Sequence, residues 1–113
     1  MLTMSKSRTT TKQTEGRKRL PPIHPGEILA EDLRDLDISL NELARSLRVP
    51  MNRISEIANG RRSITADTAM RLARYFGTSP EYWMNLQTSY DLAVAQRTKG
   101  EEIERAVLPR RAA

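Results

Sequence analysis

Apolar residues recur at helical spacing in five separate stretches of this chain, and no stretch alternates as a half-buried strand does. The apolar positions of the successive stretches are Ile28, Leu29, Leu33 and Leu36; Leu40, Leu43, Ala44 and Leu47; Ile54, Ile57 and Ala58; Ala69, Leu72, Ala73 and Phe76; and Tyr82, Trp83, Leu86 and Tyr90. Spacing of three and four residues places the apolar side chains of each stretch on one face of a helix. We therefore predict an all-α fold, a compact five-helix domain with short loops.

Capping and breaking residues mark the predicted ends of these helices. The start signals are His24 before Pro25, Ser39 with Glu42 as a capping box, Thr65 before the fourth helix, and Ser79 before Pro80. Gly60 and Gly77 follow the third and fourth helices, where glycine adopts the left-handed conformation that ends a helix. The fifth helix is expected to run to about Arg97. A break is expected at residues 98–100, followed by a short tail helix over residues 101–107.

Residues 39–62 hold two helices that are too short to be stable alone in water, because helix nucleation is costly. Each has an apolar face with which to pack against its neighbours. The outward positions at the start of the second of these helices are Met51, Asn52, Arg53 and Glu56. Long polar side chains in the first turns of a helix suit the reading of base edges in the major groove of DNA. The pattern predicts a helix-turn-helix over residues 39–62.

The composition argues against several classes of protein, among them disulfide-bonded proteins, enzymes and membrane proteins. The chain has no cysteine, so it has neither a disulfide framework nor a thiolate metal site. With one histidine and no glycine-rich loop, it offers no nucleophile–base set and no phosphate cradle, so we expect neither an enzyme nor a cofactor. No apolar run approaches the roughly 18–20 residues that span a bilayer, and the N-terminus lacks the apolar segment of a signal peptide. We expect a cytoplasmic binding protein.

Charge is separated along the chain. Residues 1–22 carry a net charge of +5, residues 23–44 of −5 and residues 45–74 of +5, whereas residues 75–113 are neutral. A basic middle beside an acidic start indicates two faces with different partners, and a simple solvated surface is the alternative. The basic, Ser- and Thr-rich residues 1–22 are expected to be a disordered arm, with a transit peptide as the alternative for the same composition.

The predicted motif resembles the repressor-type helix-turn-helix domain (XRE or Cro/C1-like) that phage repressors share with many bacterial regulators. The flanking blocks sharpen the resemblance, and they are similar to the HigA antitoxin branch over about residues 22–95. These blocks are residues 24–29 (HPGEIL), 49–50 (VP), 63–69 (SITADTA) and 75–83 (YFGTSPEYW).

The resemblance implies a homodimeric repressor that binds operator DNA at its own operon. It also implies an antitoxin that neutralises a HigB-type toxin, a small RelE-like ribonuclease that cleaves mRNA on the ribosome. A stand-alone repressor without a toxin partner is the alternative. On this interpretation residues 23–97 form the DNA-binding and dimerisation domain, residues 98–113 a C-terminal tail.

The resemblance places base reading at the start of the second motif helix. Asn52 can form a bidentate pair with adenine, and Arg53 can do so with guanine N7 and O6. Glu56 can accept from a cytosine amino group, and Met51 can contact a thymine methyl. As alternatives, one or two of these side chains only line the groove or contact phosphate, and Arg53 pairs with Glu56 three positions along the helix.

Contacts to the DNA backbone are expected on both sides of the reading helix. The expected residues are Ser39 with the amides of its helix, Arg48 in the turn, and Asn59, Arg61 and Arg62 in the exit loop. Because each neutralised phosphate releases counterions, affinity should fall steeply with salt. Many broader relatives have a serine or threonine where Pro50 stands, so a hydroxyl contact is absent there. The basic arm is expected either to follow a groove or to stay solvated.

Two further groups of side chains have expected roles. Tyr82, Trp83, Leu86 and Tyr90 are predicted to be core or dimer-contact residues, with the dimer interface in residues 80–97. The acidic stripe Glu27, Glu31, Asp32 and Asp35 is either a solvated face that avoids DNA or a docking surface for a basic ribonuclease. His24 is interpreted as a residue at the start of a helix, with no metal.

Overall fold

The computed structural model describes residues 21–111, and within that range the chain forms five α-helices and no strand. The helices are α1 (Pro25–Leu36), α2 (Leu40–Leu47), α3 (Met51–Ala58), α4 (Ala66–Phe76) and α5 (Pro80–Ala106). The all-α, five-helix prediction is therefore confirmed. The predicted disordered arm lies outside the described residues, apart from Pro21 and Pro22.

Side chains cap four of the five helices where the sequence predicts it. His24 caps α1, with its Nδ1 accepting from the Gly26 amide at 2.8 Å and its own amide donating to the Glu27 carboxylate at 3.3 Å. The hydroxyls of Ser39, Thr65 and Ser79 accept from the amides of the third helical residues of α2, α4 and α5. These bonds satisfy amides that have no partner inside the helix.

The ends of the helices are partly as predicted. Gly60 and Gly77 adopt φ values of +78° and +75° after α3 and α4, as expected. Helices α1 and α2 instead end on Asp37 and Arg48, which have φ values of +59° and +61°. A non-glycine residue costs roughly 1–2 kcal/mol in this conformation, so packing of the helices on either side must hold these two turns.

The core lies where α1, α2, α3, α4 and the first half of α5 meet. Its buried apolar residues are Leu29, Leu33, Leu43, Ala44, Leu47, Ile54, Ile57, Ile64, Ala69, Leu72, Ala73 and Trp83. Trp83 places its ring in this core and donates from Nε1 to the Thr78 hydroxyl at 3.0 Å. Leu36, predicted on the apolar face of α1, is 56% exposed, because the face ends at Leu33 before the turn at Asp37.

The predicted break at residues 98–100 is wrong. Helix α5 continues through Thr98, Lys99 and Gly100 and ends at Ala106, so the predicted tail helix is the last part of α5. A single glycine costs a helix only about 1 kcal/mol relative to alanine, too little to interrupt an established helix. The Thr98 hydroxyl also donates to the Val94 carbonyl at 2.9 Å instead of competing for the backbone. No helix in the described residues is long and apolar enough to cross a membrane.

Candidate nucleic-acid interface

Helix α3 divides its side chains between the core and the surface. Ile54 and Ile57 are fully buried, whereas Met51 and Asn52 are exposed and Arg53 and Glu56 are half-buried. The structure therefore presents all four predicted reading residues on the surface of one helix. Pro50 caps α3 without a side-chain hydrogen bond, as its missing hydroxyl predicts.

The two charged reading residues are held by different partners. Arg53 Nη1 lies 3.0 Å from Asp67 Oδ2 at the start of α4. Glu56 Oε1 accepts from Arg62 Nε at 2.8 Å, and Arg62 Nη2 lies 2.6 Å away. The alternative of an Arg53–Glu56 pair is therefore wrong. Surface pairs like these contribute little to stability, so their main effect is on the direction of the side chains.

Asp67 joins three elements of the motif. Its Oδ2 also accepts from Arg71 Nε at 2.9 Å, and Arg71 Nη1 donates to the Leu47 carbonyl at the end of α2 at 2.8 Å. The hydrogen bond from Arg71, followed by that from Arg53, holds the pKa of Asp67 below its usual value despite some opposing desolvation. The carboxylate therefore stays charged and links α3, α4 and the end of α2.

The expected backbone contacts are all accessible. Ser39, Arg48, Asn59, Arg61 and Arg62 are exposed, and they lie at the start and end of α2, at the end of α3 and in the exit loop that follows it. The Ser39 hydroxyl is occupied as the cap of α2. Their placement is compatible with phosphate contacts on both sides of α3, which remain a prediction.

The exit loop is anchored by Gln87, which sequence reasoning missed. This side chain is only 3% exposed, and its Oε1 accepts from the Ile64 amide at 2.7 Å. Its Nε2 donates to Asp91 at 2.9 Å and to the Ser63 hydroxyl at 3.4 Å. A buried amide needs such partners. The available signal was its position four residues after Trp83, on the apolar face of the fifth helix.

His24 supports the same loop from α1. Its ring contacts Tyr90 edge to face at 4.8 Å, and Gly60 lies against the ring. Burial lowers the pKa of His24, although Glu27, Asp91 and a hydrogen bond to the Arg62 backbone partly oppose this. The interpretation as a helix-start residue is confirmed, and the neutral ring has a second role under the exit loop.

We expect the domain to lose stability as the pH falls below about 6.5, the ordinary pKa of histidine. The pKa of His24 is lower in the folded state than in the unfolded state. The stability that the neutral ring contributes is therefore complete above the unfolded-state pKa, and it is lost as the pH falls towards the folded-state pKa. Urea unfolding from pH 8 to 5.5 measures the effect. His24→Asn retains a capping side chain and should remove the pH dependence in this window; an unchanged profile would exclude His24 as its cause.

Gly26 allows α1 to touch the end of α3. A Cβ built on Gly26 would lie 1.7 Å from the Ile57 carbonyl oxygen and 2.7 Å from its carbon. That carbonyl also accepts from the Gly60 amide at 3.0 Å, so it belongs to the helix end. The glycine therefore sets how closely α1 approaches the reading helix. The sequence predicts Gly26 in a helix start but has no local signal for this contact.

The four residues predicted as core or dimer contacts differ in how deeply the structure buries them. Trp83 is in the core, Leu86 packs against it, and Tyr90 is half-buried against His24. Tyr82 is 42% exposed and stands edge to face with Trp83, with ring centroids 5.0 Å apart. Of the four, Tyr82 has the most surface to offer a second subunit.

The acidic stripe lies along α1. Glu31 and Asp35 are exposed and Asp32 is half-buried, whereas Glu27 is exposed but also accepts from the His24 amide. The stripe borders a shallow groove that α1 forms with Ile23 and Ala58. Within residues 21–111, no three histidine, aspartate or glutamate side chains are grouped as metal ligands.

Comparisons with known proteins agree on one family. The helix-turn-helix family model matches residues 29–83. Virulence-associated protein I of Dichelobacter nodosus is 49% identical over 85 residues, which cover 74% of this chain and 79% of that protein. An addiction module antidote protein of the HigA family from Coxiella burnetii has a TM-score of 0.78 at 56% identity, covering 80% of this chain and 100% of that one.

A DNA-bound structure is also similar. Antitoxin HigA of Pseudomonas aeruginosa, solved with the higBA promoter, has a TM-score of 0.76 at 48% identity, covering 78% of this chain and 97% of that one. The agreement in sequence and in fold extends over the whole helix-turn-helix and the start of α5. The chain belongs to the XRE-like helix-turn-helix family and to its HigA antitoxin branch.

Proposed function

We propose that this protein is a cytoplasmic DNA-binding antitoxin that represses its own operon as a homodimer. The observation that carries the proposal is the exposed polar start of α3 on a helix whose other face is fully buried. Such a helix is already rigid and can present its side chains to base edges without its backbone having to be ordered on binding. The promoter-bound relative from P. aeruginosa supports DNA as the ligand.

The base contacts follow from the side-chain chemistry at the start of α3. Asn52 would pair with adenine, Arg53 with guanine, Glu56 with a cytosine amino group, and Met51 with a thymine methyl. Glu56 would do so while bonded to Arg62, because both oxygens of a carboxylate can accept. The Glu56–Arg62 pair would also hold the exit loop in a fixed position relative to α3.

Two-fold symmetry would place the two α3 helices about 34 Å apart, one turn of DNA, on a palindromic site. We propose that the dimer interface lies in the first part of α5. Tyr82 and Leu92 support this, since both are large apolar side chains left exposed on that helix. Exposed apolar surface of this kind is typical of interface cores.

A mobility-shift titration on the DNA upstream of the chain's own operon tests the function. The titration is run at two salt concentrations, with an unrelated duplex as competitor. We expect a saturable shift that resists the competitor and weakens steeply with salt. Equal and weak binding to both duplexes would contradict specific repression.

We propose further that the protein neutralises a HigB/RelE-like mRNA-cleaving toxin through the acidic face of α1. The carboxylates of this face stand in a segment of net charge −5, which suits a basic ribonuclease. A repressor with no toxin partner is the alternative. A small, basic, RelE-like reading frame beside this one would favour the antitoxin.

Reversing the charge of Glu31 and Asp35 to lysine is expected to weaken toxin binding and leave DNA binding intact. Both side chains are exposed, so the fold should tolerate the change. Calorimetric titration with the neighbouring toxin measures affinity, and a competed mobility shift checks DNA binding. Glu101→Lys with Glu104→Lys, on the distal part of α5, controls for net charge. Equal toxin affinity in the two double variants would exclude this face.

A further inference from the structure

Asp67 is the one residue of α4 that the structure places against a proposed base-reading side chain. It is the second residue of α4, and its Oδ2 lies 3.0 Å from Arg53 Nη1 and 2.9 Å from Arg71 Nε. The side chain of Asp67 is 57% exposed, whereas that of Arg53 is 29% exposed. The carboxylate therefore lies at the surface, and the Arg53 side chain that binds it is the more buried of the two.

The pair matters because a free arginine side chain is long and has many rotamers. Fixing such a side chain when DNA binds costs conformational entropy, whereas a guanidinium already held in place avoids part of that loss. The contact with Asp67 uses Nη1. The guanidinium is a planar fork with five N–H donors, so its Nε–Nη2 edge can bind guanine N7 and O6 while Nη1 stays on the carboxylate.

Arg71 fixes Asp67 in turn. It donates from Nε to the same carboxylate oxygen and from Nη1 to the Leu47 carbonyl at 2.8 Å. The Leu47 carbonyl belongs to the last turn of α2. Through Arg71, the Asp67 carboxylate is held in a fixed position relative to both α2 and α4. The orientation of the Arg53 side chain therefore depends on these two helices as well as on α3.

We propose that Asp67 is a specificity-determining positioning residue, which directs Arg53 at one guanine in each half-site of the palindrome. This inference rests on the proposed sequence-specific DNA binding. Asp67 itself would touch no base. Its negative charge also repels the phosphates of any duplex. Removing that charge should therefore weaken the discrimination between bases at one position and at the same time strengthen binding to unrelated DNA.

The opposite signs of these two effects separate positioning from a structural role. A variant that simply destabilised the fold would lose affinity for all duplexes together. A variant that only removed repulsion would gain affinity for all duplexes and keep its base preference. The combination of a weaker preference at one base pair with stronger non-specific binding is expected only if Asp67 both orients Arg53 and faces the DNA.

The experiment begins with a random 20-base-pair duplex library, from which the full-length wild-type protein selects its site. Fluorescence anisotropy then measures the wild type and four variants against every single-base change of that site. Arg53→Ala identifies the base pair that Arg53 reads in each half-site, and these two symmetry-related positions are treated together as the Arg53 base pair. Asp67→Asn should lose on the order of tenfold in discrimination at that same pair, which is within the range that one good base contact contributes. Its affinity for an unselected duplex should rise severalfold.

Glu101→Gln is the matched control for charge. This glutamate also pairs with an arginine, Arg105 at 4.0 Å, but it lies near the end of α5 and is almost fully exposed. It should leave discrimination at every position unchanged. Asp67→Glu keeps the charge and should restore part of the preference at the Arg53 position. Circular dichroism at the assay temperature confirms that each variant is folded.

The outcomes separate the two proposals. If the wild type selects no sequence, the proposed function fails, and this inference fails with it. If the wild type selects a site and Asp67→Asn keeps full discrimination at the Arg53 base pair, the inference alone is overturned. Relaxation at a different base pair, or uniform loss at all of them, would overturn it as well. Loss confined to the Arg53 pair with a gain on unselected DNA would support it.

Discussion

Gly26→Ala is expected to lower the free energy of unfolding by about 3 kcal/mol or more, which is a large part of the total stability of a small domain. The new methyl group would lie 1.7 Å from the Ile57 carbonyl oxygen, far inside any van der Waals contact. The obstacle is backbone at the end of α3, so no side-chain rotation relieves it. Helix α1 would have to move away from α3, opening the core that both helices share.

The same substitution at Gly100 provides the control, with the opposite sign. A Cβ at Gly100 has as its nearest neighbour the Gln96 Cβ at 4.0 Å, and Gly100 lies inside α5. Gly100→Ala should stabilise the protein by about 0.5–1 kcal/mol through helix propensity. Urea unfolding followed by circular dichroism measures both variants. A Gly26→Ala protein as stable as the wild type would show that the close approach of α1 and α3 does not exist in solution.

The combined replacement of Asn52 and Arg53 with alanine is expected to abolish the preference for operator over unrelated DNA. Each base contact contributes about 1–3 kcal/mol, so the loss of two lowers specific affinity by roughly two to four orders of magnitude. The fold should remain, because Asn52 is exposed and Arg53 contributes only a surface ion pair. Non-specific binding should fall far less, since phosphate contacts in the exit loop persist.

Competed mobility shifts on operator and scrambled duplexes measure this ratio. Lys99→Ala with Arg105→Ala removes two long polar side chains from exposed positions on α5, beyond the proposed dimer interface, and should retain full preference. If the Asn52 and Arg53 variant still preferred the operator, then base reading would lie outside the start of α3. If it bound both duplexes as the wild type binds the scrambled one, then the assignment of the reading helix would hold.

Helix positions and most helix ends follow from the sequence because they depend on residues within about four positions of one another. The His24 and Ser39 caps and the left-handed Gly60 and Gly77 illustrate this: each completes hydrogen bonds that the helix itself leaves open. The same local reasoning failed at Gly100. A weak local breaking signal there is outweighed by the continuing hydrogen bonds of α5.

The exposed start of α3 was also readable from the sequence, since apolar spacing decides which side of a short helix faces the core. The partners of its charged residues were not. The pairs Arg53–Asp67 and Glu56–Arg62 join α3 to α4 and to the exit loop. Helical spacing offered Arg53 with Glu56 as an alternative, and that pair does not form. Which pair forms depends on the angle between helices, and that angle is set by the packed core.

Apolar spacing and capping residues were sufficient to predict five helices, a helix-turn-helix made by two of them, and the side chains that α3 leaves outward. Three contacts came from the folded structure instead: Gly26 against the Ile57 carbonyl, Gln87 with the Ile64 amide, and Asp67 with Arg53. The difference lies in how far along the chain each interaction acts. Caps and apolar spacing act within one or two turns of a helix, whereas these three contacts join residues brought together only when all the apolar faces are buried at once.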